Sequence, residues 1–236
     1  MTAPLTVASF YVHRPDHPRH GESDFAGMLR VLQTSCDRLG VRHVVLTDLR
    51  TADAGLVPRD LTYQAIPLPD ELMQATTRAH AGYLETGLQH NPGDVLFVGA
   101  DSILLRHPNR FVPADVEMAF TFRPGHDRYE INNGFMLVRE RSRGRAARFF
   151  RDLANRCGPT WGDDQRALAA MLAPLPATWG EIERHGMNIR LLPMRRFNDV
   201  PAGPNDHCKG VCLLHFRGRG HKHKFFPWAK AQGFVS

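Results

Sequence analysis

Asp94-Val95-Leu96-Phe97-Val98-Gly99-Ala100-Asp101 is the stretch on which the reading of this chain turns. Its apolar run is the most hydrophobic strand candidate in the sequence, so it belongs at the centre of a sheet. Asn91-Pro92-Gly93 punctuates it on the N-terminal side, and a carboxylate closes it.

Working back from this strand, residues 71–89 read as a helix. Residues 61–66 read as a strand closed by Pro67 and Pro69. Residues 41–46 form another strand candidate, ending at Thr47-Asp48. Phe25, Met28, Leu29, Leu32 and Cys36 recur at helical spacing, with Gly40 placed to cap that helix. Residues 6–12 read as a buried strand. Residues 13–20, rich in His, Pro and Arg, cannot be regular structure. The order strand–helix–strand–strand–helix–strand predicts an α/β fold with a mostly parallel central sheet flanked by helices. Ligands bind such sheets at the carboxyl ends of the strands. Those ends carry Phe10-Tyr11, Thr47-Asp48 and Gly99-Ala100-Asp101.

Working forward, residues 116–122 and 134–139 read as strands. Residues 143–156 and 163–172 read as helices, and 189–192 and 211–215 as short strands. No internal repeat or low-complexity linker interrupts the chain. The expectation is one domain over residues 1–236, with a nucleotide-binding half to about residue 110 and an acceptor half with a basic tail beyond it.

Hydrophobic residues make up 42% of the 236 and charged residues 23%, which predicts a full core and excludes general disorder. No apolar run reaches the ~20 residues a bilayer span needs. No secretory signal is visible, so the cysteines are expected as free thiols and the protein in the cytoplasm. The net charge of +6 and a pI of about 9.5 favour anionic partners such as nucleotides, phosphorylated sugars, nucleic acid or acidic lipid.

The chemistry-bearing residues fall at strand and helix ends. Asp101 directly follows the central strand, where a hard oxygen ligand suits Mg²⁺ or Mn²⁺, and His215 ends a late strand. Two diphosphate oxygens and water would complete six-coordination. The structural alternatives are a turn-capping Asp101 and a satisfied, half-buried His215. Asn132-Asn133-Gly134 offers amides for sugar hydroxyls, or else a plain Asn-Gly hairpin turn. Asp163-Asp164-Gln165, after Trp161-Gly162, opens a helix with more acid than a cap needs. The stretch with Arg217, Arg219, His221, Lys222, His223 and Lys224, spaced by Gly218 and Gly220, could clamp a diphosphate. It could equally be a solvated tail or a nucleic-acid patch. His207, Cys208, Cys212 and His215 match no established zinc spacing.

Taken together, these segments resemble the GT-A fold nucleotide-diphospho-sugar transferases, and within them the retaining family of glycogenin and the bacterial lipopolysaccharide galactosyltransferases. The shared pattern is a strand ending in Asp-x-Asp, an Asn-x-Gly strand, an Asp-Gln helix start and a late His-x-x-Gly-x-x-Lys. The resemblance implies that Asp101 and His215 bind the metal and that Gly218 and Lys222 contact the diphosphate. It implies that Asn133 and Asp164 line the sugar and acceptor side. Phe10, Tyr11 and Asp48 fall where the family holds the base and ribose, and Arg78 matches a basic residue near the donor. It further implies a nucleotide-sugar donor, UDP foremost, transfer with retention, and a glycan or lipid-linked acceptor. Two departures stand out. Gly99 replaces the first Asp of Asp-x-Asp, and the step from His215 to Lys222 is one residue longer than the common form, so Lys222 and Lys224 compete. Transfer to modified phage-type DNA bases and a degenerate nucleotide- or nucleic-acid-binding module are the competing readings.

Overall fold

A computed structural model describes residues 4–14, 23–86, 92–126 and 129–235. Helix α1 (Phe25–Arg38) follows strand β1 (Leu5–Phe10), and β2 (Arg42–Asp48), α2 (Leu49–Asp53), β3 (Tyr63–Ile66) and α3 (Leu72–Thr86) come next. The central strand is β4 (Asp94–Gly99), followed at once by the short β5 (Ser102–Leu104). Then come β6 (Met118–Phe122), β7 (Ile131–Val138), α4 (Arg143–Arg156), α5 (Asp163–Leu172), β8 (Gly180–Arg184) and β9 (Met187–Pro193). The chain continues through α6 (Met194–Phe197), β10 (Leu213–His215), α7 (Arg219–Lys222) and α8 (Phe225–Ala231).

Eight strands form one sheet in the order β3-β2-β1-β4-β7-β6-β9-β8, and β5 with β10 forms a second, two-stranded one. Strands β3, β2, β1 and β4 run parallel. β7 is antiparallel to β4 and β6, while β6 and β9 are parallel to each other and to β4. The fold is thus α/β with a mostly parallel sheet, as its element order implies. Val95, Leu96, Phe97 and Val98 are buried on both sheet faces, which explains the unbroken apolar run.

The carboxyl ends of β1, β2, β4, β6 and β9 and the start of β7 share one edge. A bulge there shifts the β6–β7 register between Phe120 and Thr121: Phe120 faces Met136, but Thr121 faces Asn132. Asn133, Gly134 and Phe135 are the extra residues, so the bulge re-aims this segment toward the site. Asn132-Asn133-Gly134 therefore lies inside β7 and is no hairpin turn.

Further expectations need correction. Strand β7 starts at Ile131 rather than at residue 134, and β1 ends at Phe10, before Tyr11 and Val12. The basic segment carries α7 and packs Phe216 against Phe225, with ring centroids 4.9 Å apart, so it is no solvated tail. His13 and Arg14 are irregular, and the rest of the 13–20 stretch, like the predicted end of the third helix at 87–89, lies outside the described residues. No helix among the described residues is long and apolar enough to cross a membrane.

Candidate active site

β4 ends in the turn Gly99-Ala100-Asp101, and β5 leaves directly from it. β10 pairs antiparallel with β5 in the register His215↔Ser102. That register, with the Phe216 amide donating to the Asp101 carbonyl at 2.9 Å, brings His215 beside Asp101. Asp101 Oδ1 lies 3.1 Å from His215 Nε2, and Asp101 Oδ2 lies 3.8 Å from Lys222 Nζ. Burial alone would push the Asp101 carboxyl up. His215 and Lys222 outweigh it and hold the group below the usual carboxylate range. Lys222 also sits 4.3 Å above the Phe25 ring, whereas Lys224 Nζ points away to the Ala202 carbonyl at 3.5 Å.

The other face of the His215 ring is equally committed. Nδ1 lies 2.9 Å from Asn198 Oδ1. Asn198, almost fully buried, is oriented by its own amide, which donates to Thr121 Oγ1 at 3.2 Å and to Asn132 Oδ1. With Nδ1–H donated to Asn198, Nε2 is the ring nitrogen that faces Asp101. Adjacent ligands of an octahedral ion with bonds of about 2.1 Å stand about 3.0 Å apart. The observed 3.1 Å between Asp101 Oδ1 and His215 Nε2 fits that edge. A carboxylate beside an imidazole is a donor pair that Mn²⁺ or Mg²⁺ accepts. No cluster of three or more His, Cys, Asp or Glu residues exists among the described residues. The zinc reading fails: Cys212 Sγ bonds the Arg106 carbonyl, His207 meets Gln232, and both Cys208 and Cys212 are buried thiols.

Two glycines shape this centre. A Cβ on Gly99 would lie 2.7 Å from Asp101 Oδ1 and 3.1 Å from His215 Nε2. A side chain at position 99 would thus aim between Asp101 and His215. A Cβ on Gly134 would meet His215 Nδ1 at 2.1 Å. Gly134 accommodates the imidazole.

A polar chain continues across the sheet edge. Asn132 Nδ2 donates to Gln165 Oε1 at 3.0 Å, and Asn133 Nδ2 donates to Asp164 Oδ2. The two acids opening α5 divide their tasks. Asp163 accepts from the Thr160 amide and pairs with Arg166, while Asp164 is buried and turned inward. Burial pushes the Asp164 carboxyl up to about 6, against the Asn133 hydrogen bond that favours its charged form. Asp164 Oδ1 meets no partner among the described residues.

On the β1–β2 side, the Tyr11 amide bonds the Leu46 carbonyl at 2.9 Å, and the Tyr11 ring lies 5.6 Å from Phe25. Phe10 packs half-buried beside Leu68 and Leu72. Asp48 caps α2 through the Thr51 amide and pairs with Arg14 at 2.7 Å. Burial raises Asp48, but Thr51 and Arg14 bring it below its ordinary value. Gly218, exposed at φ 68 and ψ 173, turns the chain into α7, a conformation open to glycine almost alone. Arg78 is not drawn in: it donates to Asn155 Oδ1 at 2.6 Å across the α3–α4 seam. Asn198 and Thr121 join the centre without any signal in their spacing.

No family model and no curated protein matches the chain. Among solved structures, it is similar to a glycosyltransferase involved in the glycosylation of the major capsid of PBCV-1, with a TM-score of 0.58 and 13% identity over 93% of this chain and 97% of that one. The chain thus has the fold of a glycosyltransferase.

Proposed function

We propose that this chain is a glycosyltransferase that moves a sugar from a nucleotide-diphosphate donor, a UDP-sugar foremost, to an acceptor hydroxyl on a glycan or a lipid-linked glycan. The observation that carries the reading is the convergence of Asp101, His215 and Lys222 within 3.1–3.8 Å at the carboxyl end of β4. The glycosyltransferase fold supports it. Asp101 and His215 would hold Mn²⁺ or Mg²⁺, whose charge, when bound, stabilises the donor diphosphate. Lys222 Nζ would offset charge on the departing nucleotide, with the Gly218 turn bringing it in. Phe10, Tyr11 and Asp48 flank the nucleoside side of this edge. Asn133 would bind sugar hydroxyls. Asp164, hydrogen-bonded to Asn133, would line the sugar and acceptor side with it. The family resemblance makes retention the expected stereochemistry.

The test is thermal unfolding with UDP, GDP and their sugars, with and without Mn²⁺. A ligand at ~100 times its Kd stabilises by about 2.7 kcal/mol. Stabilisation by one nucleotide sugar that needs Mn²⁺, and that Asp101→Ala and His215→Ala both abolish, is the expected result. The reading is refuted if no nucleotide sugar stabilises the protein, or if both variants turn over like wild type.

A further inference from the structure

A second cationic group stands across His215 from Lys222. Asn198, which meets His215 Nδ1, accepts Arg217 Nη1 on its own carbonyl at 2.9 Å. Its side-chain amide reaches Thr121 on β6. Arg123 follows Thr121 by two residues, and the hairpin pairing persists there, since the Arg123 amide bonds the Glu130 carbonyl at 2.7 Å. Thr121 and Arg123 therefore leave the same face of the strand, toward Asn198 and Arg217. Arg123 Nε is buried and meets no acceptor among the described residues, and nor does the buried His221 Nδ1. Burial lowers the Arg123 guanidinium from its ordinary value. The Arg123 charge reaches Arg217, which places the two guanidiniums near each other. A buried Arg123 Nε without an acceptor, beside a second guanidinium, is costly unless an anion completes it.

An aromatic side chain is tied to the same strand end. Trp179 Nε1 donates to the Phe122 carbonyl at 3.0 Å, one residue before Arg123, and the side chain remains 54% exposed. An indole pinned by its N–H and open on its face is suited to stacking against a sugar ring.

Building on the sugar-transfer reading, we propose that Arg123 and Arg217, beside Trp179, form the acceptor subsite, and that the acceptor is an anionic saccharide carrying a phosphate or a carboxylate. The Arg fork matches either anion through paired N–H donors. In the transfer, the acceptor oxygen forms a bond to the anomeric carbon and the anomeric bond to the diphosphate breaks. The nucleotide departs with that electron pair, and the acceptor proton passes to the departing phosphate. Lys222 serves the leaving group on the Nε2 side of His215, and the arginines seat the acceptor on the Nδ1 side.

Titration calorimetry without nucleotide tests the subsite directly, with inorganic phosphate, glucose 6-phosphate, glucuronate and glucose as probes. Wild type is expected to bind at least one anionic sugar tenfold or more tighter than glucose. Arg123→Gln should abolish that preference, Arg123→Lys should keep part of it, and Trp179→Ala should weaken the sugar phosphate more than inorganic phosphate. UDP affinity should be unchanged in every variant. A preference for glucose 6-phosphate assigns the phosphate, and one for glucuronate the carboxylate. No preference in wild type overturns the proposal. So does an Arg123→Gln variant that loses UDP as strongly as the anionic sugar, since Arg123 would then serve the donor. Anionic-sugar binding that survives the absence of any nucleotide-sugar turnover upholds the subsite while refuting the transferase reading.

Discussion

Gly134→Ala places a methyl carbon 2.1 Å from His215 Nδ1, 2.6 Å from Cε1 and 2.9 Å from Asn132 Oδ1. Ordinary contact begins near 3.4 Å, so the ring must retreat by about 1.3 Å. That retreat breaks the 2.9 Å bond to Asn198 and withdraws Nε2 from Asp101. Overpacking of this size costs about 1–3 kcal/mol. A misplacement of ~1 Å in a reacting constellation lowers turnover by about 100-fold. The stability term is isolated by urea unfolding of Gly134→Ala, His215→Ala and the double variant. Removing the ring removes its two clashes and leaves only the 2.9 Å approach to Asn132 Oδ1, so the second methyl should cost much less in the His215→Ala background. The coupling should match the 1–3 kcal/mol range seen for residues in contact. Strictly additive costs, or a Gly134→Ala variant with wild-type turnover, would show that Gly134 is not there for His215.

Lys222→Ala should lower kcat more than it weakens donor binding, because its charge acts chiefly on the departing nucleotide; an equal loss in both would move Lys222 into ground-state binding. Asp164 is held up at about 6 against 3.8 in the unfolded chain, so the folded state binds the extra proton between those values and stability falls as pH rises from about 4 to 6. Asp164→Asn should remove this slope and gain on the order of 3 kcal/mol at pH 7–8, read from urea midpoints across pH; parallel pH profiles for the two proteins would sink the assignment. Away from the site, Arg139 pairs with Asp94 and Asn109, each at 2.6 Å, and donates to the Val112 and Pro113 carbonyls. Arg139→Ala should cost about 3–5 kcal/mol by stranding the buried Asp94 charge, and a denaturation midpoint within error of wild type would contradict this.

The nucleotide-side sheet was legible because its strands are buried on both faces and announce themselves as apolar runs, 94–98 above all. Asp101 and His215 could be found because each ends such a run. β8 escaped notice because Gly180-Glu181-Ile182-Glu183-Arg184 is a half-exposed edge strand whose charges hide its single apolar contact. β5 is only three residues, too short for any period to register, whereas β10 lies within the strand expected over 211–215. The Asn-Gly pair in β7 carries the local chemistry of a turn, and only its neighbours in the sheet make it a bulge. The basic segment looked like a tail because Phe216, Phe225 and Trp228, which bury it, lie among charges at no regular interval. Asn198 and the steric need at Gly134 depend on contacts between distant parts of the chain, which no local pattern encodes.

The large sheet closes its hydrogen bonding with β9, which ends at Pro193, while the residues that complete the Asp101 centre come later, from β10 and α7. Synthesis proceeds in that same direction. The body of the protein can therefore fold on the ribosome while the Asp101–His215–Lys222 centre is still unassembled. Ribosome-stalled chains of increasing length should gain UDP binding only once the segment through Lys222 has emerged.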